Sequence, residues 1–303
     1  MPDTAASRRL GVLYMTAATV AWSTGGVFAR FAPTDLAPTN LWRNFFAFVG
    51  VSLVLLLFQG RVGLAGFRQM GKPGLLTACL GGTAAFVTVP ALQLTSVAHV
   101  VVIYATAPFL AGAIAWAFYG QRPSRIDVIA SLAAFLGAVI MIGLSREGGL
   151  AGDVLSLILA GTMSGVMVLF RQNPTVPSLP TAVTAFGLTV TASLVWTQSL
   201  EVPLAALPLL AAFGLVNSAL GTAFFLLGSR LLRPVETAIL GALETPLAPL
   251  WVWMIFNETP GVATFIGGGI VMTAVVWHVL QSTRADLATA AARRAPINPA
   301  AAP

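Results

Sequence analysis

Between Lys72 and Arg122 lie 49 consecutive residues without a Lys, Arg, Asp or Glu. As one straight helix that run would extend roughly 74 Å, against a bilayer hydrocarbon core about 30 Å thick. The chain therefore has to cross an apolar slab, turn, and cross back. The polar string Gln93-Leu94-Thr95-Ser96 is where the turn falls. A soluble domain has about 25% charged residues with which to cover its surface. Here the share is 9%, beside 57% hydrophobic residues. Too little polar surface is left for a water-facing globule, so the sequence specifies a polytopic membrane protein.

The single cysteine, Cys79, excludes a disulfide framework and a multi-cysteine metal site. The net charge of +6 is scattered over short loops, so it reads as a topology signal and not as a nucleic-acid surface. Arg8-Arg9 precede a charge-free stretch from Leu10 to Ala29, longer than the core of a cleavable signal, which reads as a retained first span. Charge-poor runs long enough to cross a bilayer fall near residues 10–30, 39–59, 74–92, 98–119, 127–145, 153–171, 180–199, 206–229, 235–256 and 260–280. With the N-terminus in the cytoplasm, inside segments hold thirteen of the sixteen basic residues, leaving Arg30, Arg43 and Arg146 outside. That bias predicts ten spans with both termini cytoplasmic.

The string Arg146-Glu147-Gly148-Gly149 divides the spans into two groups of five. An offset of 141 residues superposes Gly11 on Gly152, Ser23 on Ser164 and Arg30 on Arg171. An offset of 137 superposes Gln121 on Glu258 and Pro123 on Pro260, and Pro108 and Pro246 fall at matching depths. Five is odd, so the two halves must be inverted relative to each other, an arrangement that places a solute site near the midplane. The expected fold class is therefore all-α: ten transmembrane helices as two inverted five-helix repeats around a central cavity. The expected organisation is a cytoplasmic N-terminus at 1–9, repeats at 10–145 and 153–280, a linker at 146–152, and a disordered cytoplasmic tail at 281–303.

The chain resembles the drug/metabolite transporter superfamily, specifically its EamA-type ten-helix exporters, over residues 10–280. The resemblance is carried by Trp22-Ser23, Arg43, the string Ala91-Leu92-Gln93-Leu94-Thr95-Ser96-Val97-Ala98, Pro108 and Gly120-Gln121, and in the second half by Pro246 and Asn257-Glu258. The family's usual Gly-Glu pair closing the fourth span of each half is altered in both copies. Trp22-Ser23-Thr24 followed by Arg30 is further similar to the YddG-like aromatic amino-acid exporters. The resemblance implies a carrier in the bacterial inner membrane.

Several residues are candidates for a substrate site. Glu244 is an acid well inside a span, where a charge costs roughly 3 kcal/mol or more and needs a polar cavity or a partner. It would hold a substrate ammonium or a proton, or else bond a carbonyl freed by Pro246. Pro108, Pro246 and Pro249 remove backbone donors inside spans and are candidate hinges, or simple accommodations of neighbouring helices. Trp22 is mid-span, away from the interfaces that tryptophans favour, and suits stacking against an aromatic solute as well as core packing. Ser23, Tyr104, Met163 and Asn217 complete the candidate substrate-binding set, the polar ones serving equally as glue between helices. Arg43 reads as a carboxylate partner or as a snorkelling interface residue, and His99 as a proton group or a hydrogen-bonded interface residue.

An enzyme is disfavoured. Thr162-Met163-Ser164-Gly165 lacks the first glycine of an intramembrane serine protease motif, and no His-Glu-x-x-His, paired aspartates or phosphate loop occurs. No metal or cofactor is expected. The reading is a monomeric carrier exporting small organic solutes by alternating access, with aromatic and large apolar amino acids first and other metabolites or cationic drugs second. Its expected partners are that solute and membrane lipid, with no nucleic acid.

Overall fold

The structure, a computed structural model, describes residues 5–32, 35–122, 124–144, 149–197, 199–229, 231–232, 237, 240–241 and 243–294. Helices α1 (Ala5–Ser23) and α2 (Gly25–Phe31) make one broken crossing. Helix α3 (Leu36–Gln69) joins two helices across Gly60, whose φ of 50° and ψ of −128° suit only a residue without a Cβ. Next come α4 (Gly71–Leu94), the broken pair α5 (Val97–Tyr104) and α6 (Ala107–Tyr119), α7 (Arg125–Leu144), α8 (Leu150–Gln172) and α9 (Ser178–Trp196). The stretch Leu204–Gly228 is composite: a 3-10 turn, α10 (Leu207–Ala212), a π-helix over Phe213–Leu220, and α11 (Gly221–Gly228). Helices α12 (Glu244–Phe256) and α13 (Val262–Arg294) end the fold.

Among the described residues, seven helical segments are long and apolar enough to cross a bilayer, beside the shorter apolar helices Val128–Ile140 and Val262–His278. The distribution of side chains is that of a protein dissolved in lipid. Leu57 and Phe118 are each 80% exposed, while Asn40, Asn44, His99 and Ser156 are fully buried. In water such a surface would aggregate; in hydrocarbon the apolar groups belong outside and every polar group needs an internal partner. Hydroxyls accordingly donate across helices, Ser164 Oγ to the Ala107 carbonyl and Thr189 Oγ1 to the Gly82 carbonyl, each at 2.8 Å.

Helix α4 packs on α8 and α9, α1 on α11, α3 on α9 and the π-helix, and α7 on α13. The half-helices α5 and α6 pack on α8, and α12 packs on α1, α2 and α5. The main core gathers Val97, Val100, Val101, Leu159, Phe213 and Val252 where these elements cross.

The tail differs from expectation. Helix α13 runs through to Arg294, where the sequence reading expected disorder from 281. Ala285, Ala288, Ala290, Ala291 and Ala292 give this extension high helix propensity without any apolar face to bury. The expected linker residues 146–148, the start of the ninth span at 235, and residues 1–4 and 295–303 lie outside the described residues.

Candidate functional site

A cavity of about 240 Å³ lies among the broken helices. Trp22, Val97, Val100, Leu159, Met163 and Phe186 form much of its apolar wall. Its polar lining comes from Arg43, Thr88, Tyr104, Asn217, Ser218, Thr222 and Glu244.

One side is built on two backbone irregularities. The first crossing breaks at Thr24, and Ser23 Oγ and Thr24 Oγ1 bond back to the carbonyls of Val20 and Ala21, at 2.8 and 2.6 Å. Asn217 projects from the π-helix and its Nδ2 donates to the Ala21 and Trp22 carbonyls, at 3.0 and 2.9 Å. Its Oδ1 accepts from Arg43 Nη2 at 3.4 Å. The π-helix and the break are thus mutually supporting, since the former carries the amide that donates to the carbonyls freed at the latter. Trp22 lies against Phe225, their ring centroids 5.3 Å apart, and a methyl on Gly221 would overlap its indole.

Arg43 is only 5% exposed. Its Nη1 donates to Asn44 Oδ1 at 3.0 Å and to the Ala85 carbonyl at 3.3 Å, and its guanidinium carbon is 5.1 Å from the centroid of the Phe213 ring. Asn44 in turn donates to the carbonyl and Oδ1 of Asn40, and Asn40 donates to the Phe86 carbonyl. An amide ladder on α3 therefore holds the arginine inside the bundle, where the alternative of snorkelling to a lipid headgroup is closed to it. Gly214 allows the approach, because a Cβ there would overlap the Arg43 carbonyl.

Another part of the lining is built on helix ends. Tyr104 is the last residue of α5 and Glu244 the first of α12, and these two helices pack together. Among the described residues neither the Tyr104 hydroxyl nor the Glu244 carboxylate has a hydrogen-bond partner. A carboxylate in the first turn of a helix is favoured by the helix dipole. Here α12 begins at Glu244, where sequence reading expected the middle of a continuous helix. Pro108 and Pro246 likewise fall in the first turns of α6 and α12, where a missing N–H costs no helical bond; Pro249 is interior to α12.

Of the sequence candidates, Trp22, Tyr104, Met163, Asn217, Glu244 and Arg43 meet in this one cavity. Ser23 does not line it. Ser23 is fully buried, and its Oγ accepts from Trp251 Nε1 at 3.0 Å. His99 is also elsewhere: its Nδ1 lies 3.0 Å from Asp153 Oδ1, which accepts from Thr95 Oγ1 at 2.8 Å. The sequence reading missed Asp153, the amide ladder and Ser218. The ladder had a signal in Asn40, Arg43 and Asn44, a polar stripe at helical spacing within an apolar run. Among the described residues no three His, Cys, Asp or Glu side chains converge on a metal position.

Residues 9–143 match the EamA-like transporter family. No curated protein matches the chain. A solved crystal structure, 20% identical in sequence, shares the fold with a TM-score of 0.63 over 90% of this chain and 98% of that one. The family match and the apolar helices indicate a multi-pass membrane protein, and the match points to a transporter of small solutes rather than an enzyme.

Proposed function

We propose that the chain is an inner-membrane carrier that exports small organic solutes, foremost aromatic and large apolar amino acids, by alternating access between two inverted five-helix halves. The observation that carries this reading is the cavity itself. It is mostly apolar, walled by an indole and a thioether, and lined by a few polar groups, Tyr104 and Glu244 among them at helix ends. Such a site suits a solute with one apolar body and a small polar end.

Helix packing supports the inverted halves. Exchanging them, first span for sixth and so on, turns the contact of α4 with α8 into that of α11 with α1. It turns the contact of α3 with the π-helix into that of α9 with α4, and returns α3 with α9, α7 with α13 and α5 with α12 onto themselves. Breaks in the first and fourth crossings, and the start of α12 in the ninth, fall beside the cavity, as in carriers whose sites use discontinuous helices. The bias of thirteen of sixteen basic residues toward one side supports both termini in the cytoplasm.

The test is counterflow in proteoliposomes loaded with phenylalanine or tryptophan. The reading expects saturable exchange, several-fold weaker in Trp22→Ala for aromatic solutes than for alanine. Absence of saturable exchange for every amino acid would refute it. A second reading, export of organic cations, is favoured by the unpartnered Glu244 carboxylate. In that case Glu244→Gln abolishes cation exchange and leaves amino-acid exchange intact.

A further inference from the structure

Arg43 and Glu244 line the same cavity, yet no ion pair joins them, and neither has an ionic partner elsewhere among the described residues. Every acceptor that Arg43 uses is a neutral amide, at Asn44, Ala85 and Asn217. These take three of its five donors, and Nε is left buried without a partner. Neutral acceptors satisfy hydrogen bonds but leave the charge itself uncompensated, and an uncompensated charge is costly to bury at membrane depth. Glu244 presents the same deficit with the opposite sign. Had the two been in contact they would neutralise each other. Bordering the same cavity without pairing, they leave room for a solute that supplies both counter-charges.

We propose that the solute is a zwitterion bound in one orientation, its carboxylate at the pole made by Arg43, Asn217 and Ser218 and its ammonium at the pole made by Glu244 and Tyr104. This deepens the carrier reading above and rests on it. Ser218 belongs to the anionic-group pole because its Oγ is buried at the cavity without a partner. Arginine suits that pole since its planar fork can hold both carboxylate oxygens, replacing the long bond to Asn217. The apolar remainder of the solute then meets Trp22, Met163 and Phe186. Matching both poles selects against amines and acids that have one charge only, because each leaves one buried charge unanswered.

Three probes that share a phenyl ring separate the poles: phenylalanine, phenethylamine and 3-phenylpropionate. Their affinities are measured by isothermal titration on the detergent-purified full chain, for wild type, Arg43→Gln, Arg43→Lys and Glu244→Gln. Wild type is expected to bind phenylalanine at least tenfold tighter than either analogue. Arg43→Gln lowers phenylalanine affinity to about that for phenethylamine and leaves phenethylamine unchanged; Arg43→Lys recovers part of the loss. Glu244→Gln lowers phenylalanine affinity to about that for 3-phenylpropionate, itself unchanged. Equal weakening of all three probes by Arg43→Gln, in protein that stays monodisperse, would make the arginine a structural rivet and overturn the proposal. Saturable phenylalanine exchange by wild-type proteoliposomes without this pattern defeats the orientation alone, whereas no exchange and no binding of any probe defeats the carrier reading with it.

Discussion

The molecule gathers charged groups in two places and treats them in opposite ways. Around Arg30, the charged side chains among the described residues have partners in the protein. Its Nε is 2.9 Å from Glu258 Oε1, and its Nη atoms donate to the carbonyls of Leu92 and Thr95. Thr95 and His99 both engage Asp153, and Gln93 donates to the Ala29 carbonyl. Side chains of α2, α4, α5 and α8, with Glu258, are thus fastened together. In the cavity, Arg43 and Glu244 are answered by neutral groups or by none. A bundle that neutralises its charges at one site has no chemical reason to leave them bare at another, unless something else completes them. On the proposed reading, the Arg30 end is a fastening and the cavity a socket.

This contrast breaks most sharply at Asp153. It is 4% exposed and its partner His99 is fully buried. Removing one member of a buried pair leaves the other without its counterpart, at about 3–5 kcal/mol. Asp153→Ala is expected to lower the unfolding midpoint in detergent by several degrees and to reduce the exchange of every solute alike. Selective loss of one solute class would move Asp153 from the fastening to the socket.

Arg43→Gln should show the opposite profile. The expected cost is about 10- to 100-fold in phenylalanine affinity, the size of a charge-assisted hydrogen bond lost to an anion. Ligand-induced stabilisation follows the ratio of concentration to Kd, so phenylalanine should raise the unfolding midpoint of wild type and not of the variant. An equal upward shift in both would show that the arginine does not meet the solute.

Much of the bundle was legible from the charge-free runs, because burying a Lys or Glu in hydrocarbon is too costly to be scattered by chance. Trp22, Tyr104, Asn217 and Glu244 stood out as polar or aromatic groups within spans and Met163 as a thioether beside a small-residue face, and the fold gathers them in one cavity. The direction in which each points was not legible. In lipid both faces of a helix are apolar, so the hydrophobic periodicity that marks the inner face of a soluble helix is absent. Ser23 accordingly looked like a neighbour of Trp22 at the site, and turns instead to Trp251. Asp153, the first residue of the expected span at 153–171, was not among the candidates. Its role depends on His99, 54 residues away, and that contact exists only because Gly149 and Gly152 let α8 close on the junction of α4 and α5. The breaks at Thr24 and Thr106 carry no proline at the break itself, and the π-helix has no sequence signature of its own.

Gly221→Ala tests the socket through its wall instead of its charges. The added methyl overlaps the Trp22 indole, and overpacking of this kind costs about 1–3 kcal/mol. The indole is expected to shift into the cavity, changing tryptophan fluorescence and weakening aromatic solutes several-fold more than alanine. If all amino acids lose equally, Trp22 contributes packing and not recognition.

The smallest effect belongs to the pair at the fastened end that water reaches. Arg30 and Glu258 are 23% and 42% exposed, and ion pairs with that access contribute about 0–1 kcal/mol. Glu258→Gln should therefore change the unfolding midpoint by a degree or two at low ionic strength and by less at high salt, where screening already weakens the pair. Phenylalanine affinity should not move, because Arg30 keeps its bonds to the Leu92 and Thr95 carbonyls. Exchange rate is the sharper readout. If this end must open for each solute to leave, loosening the pair should raise the rate modestly while affinity stays fixed. A fall in affinity instead would mean that the two ends are electrostatically one site, and the distinction between fastening and socket would fail.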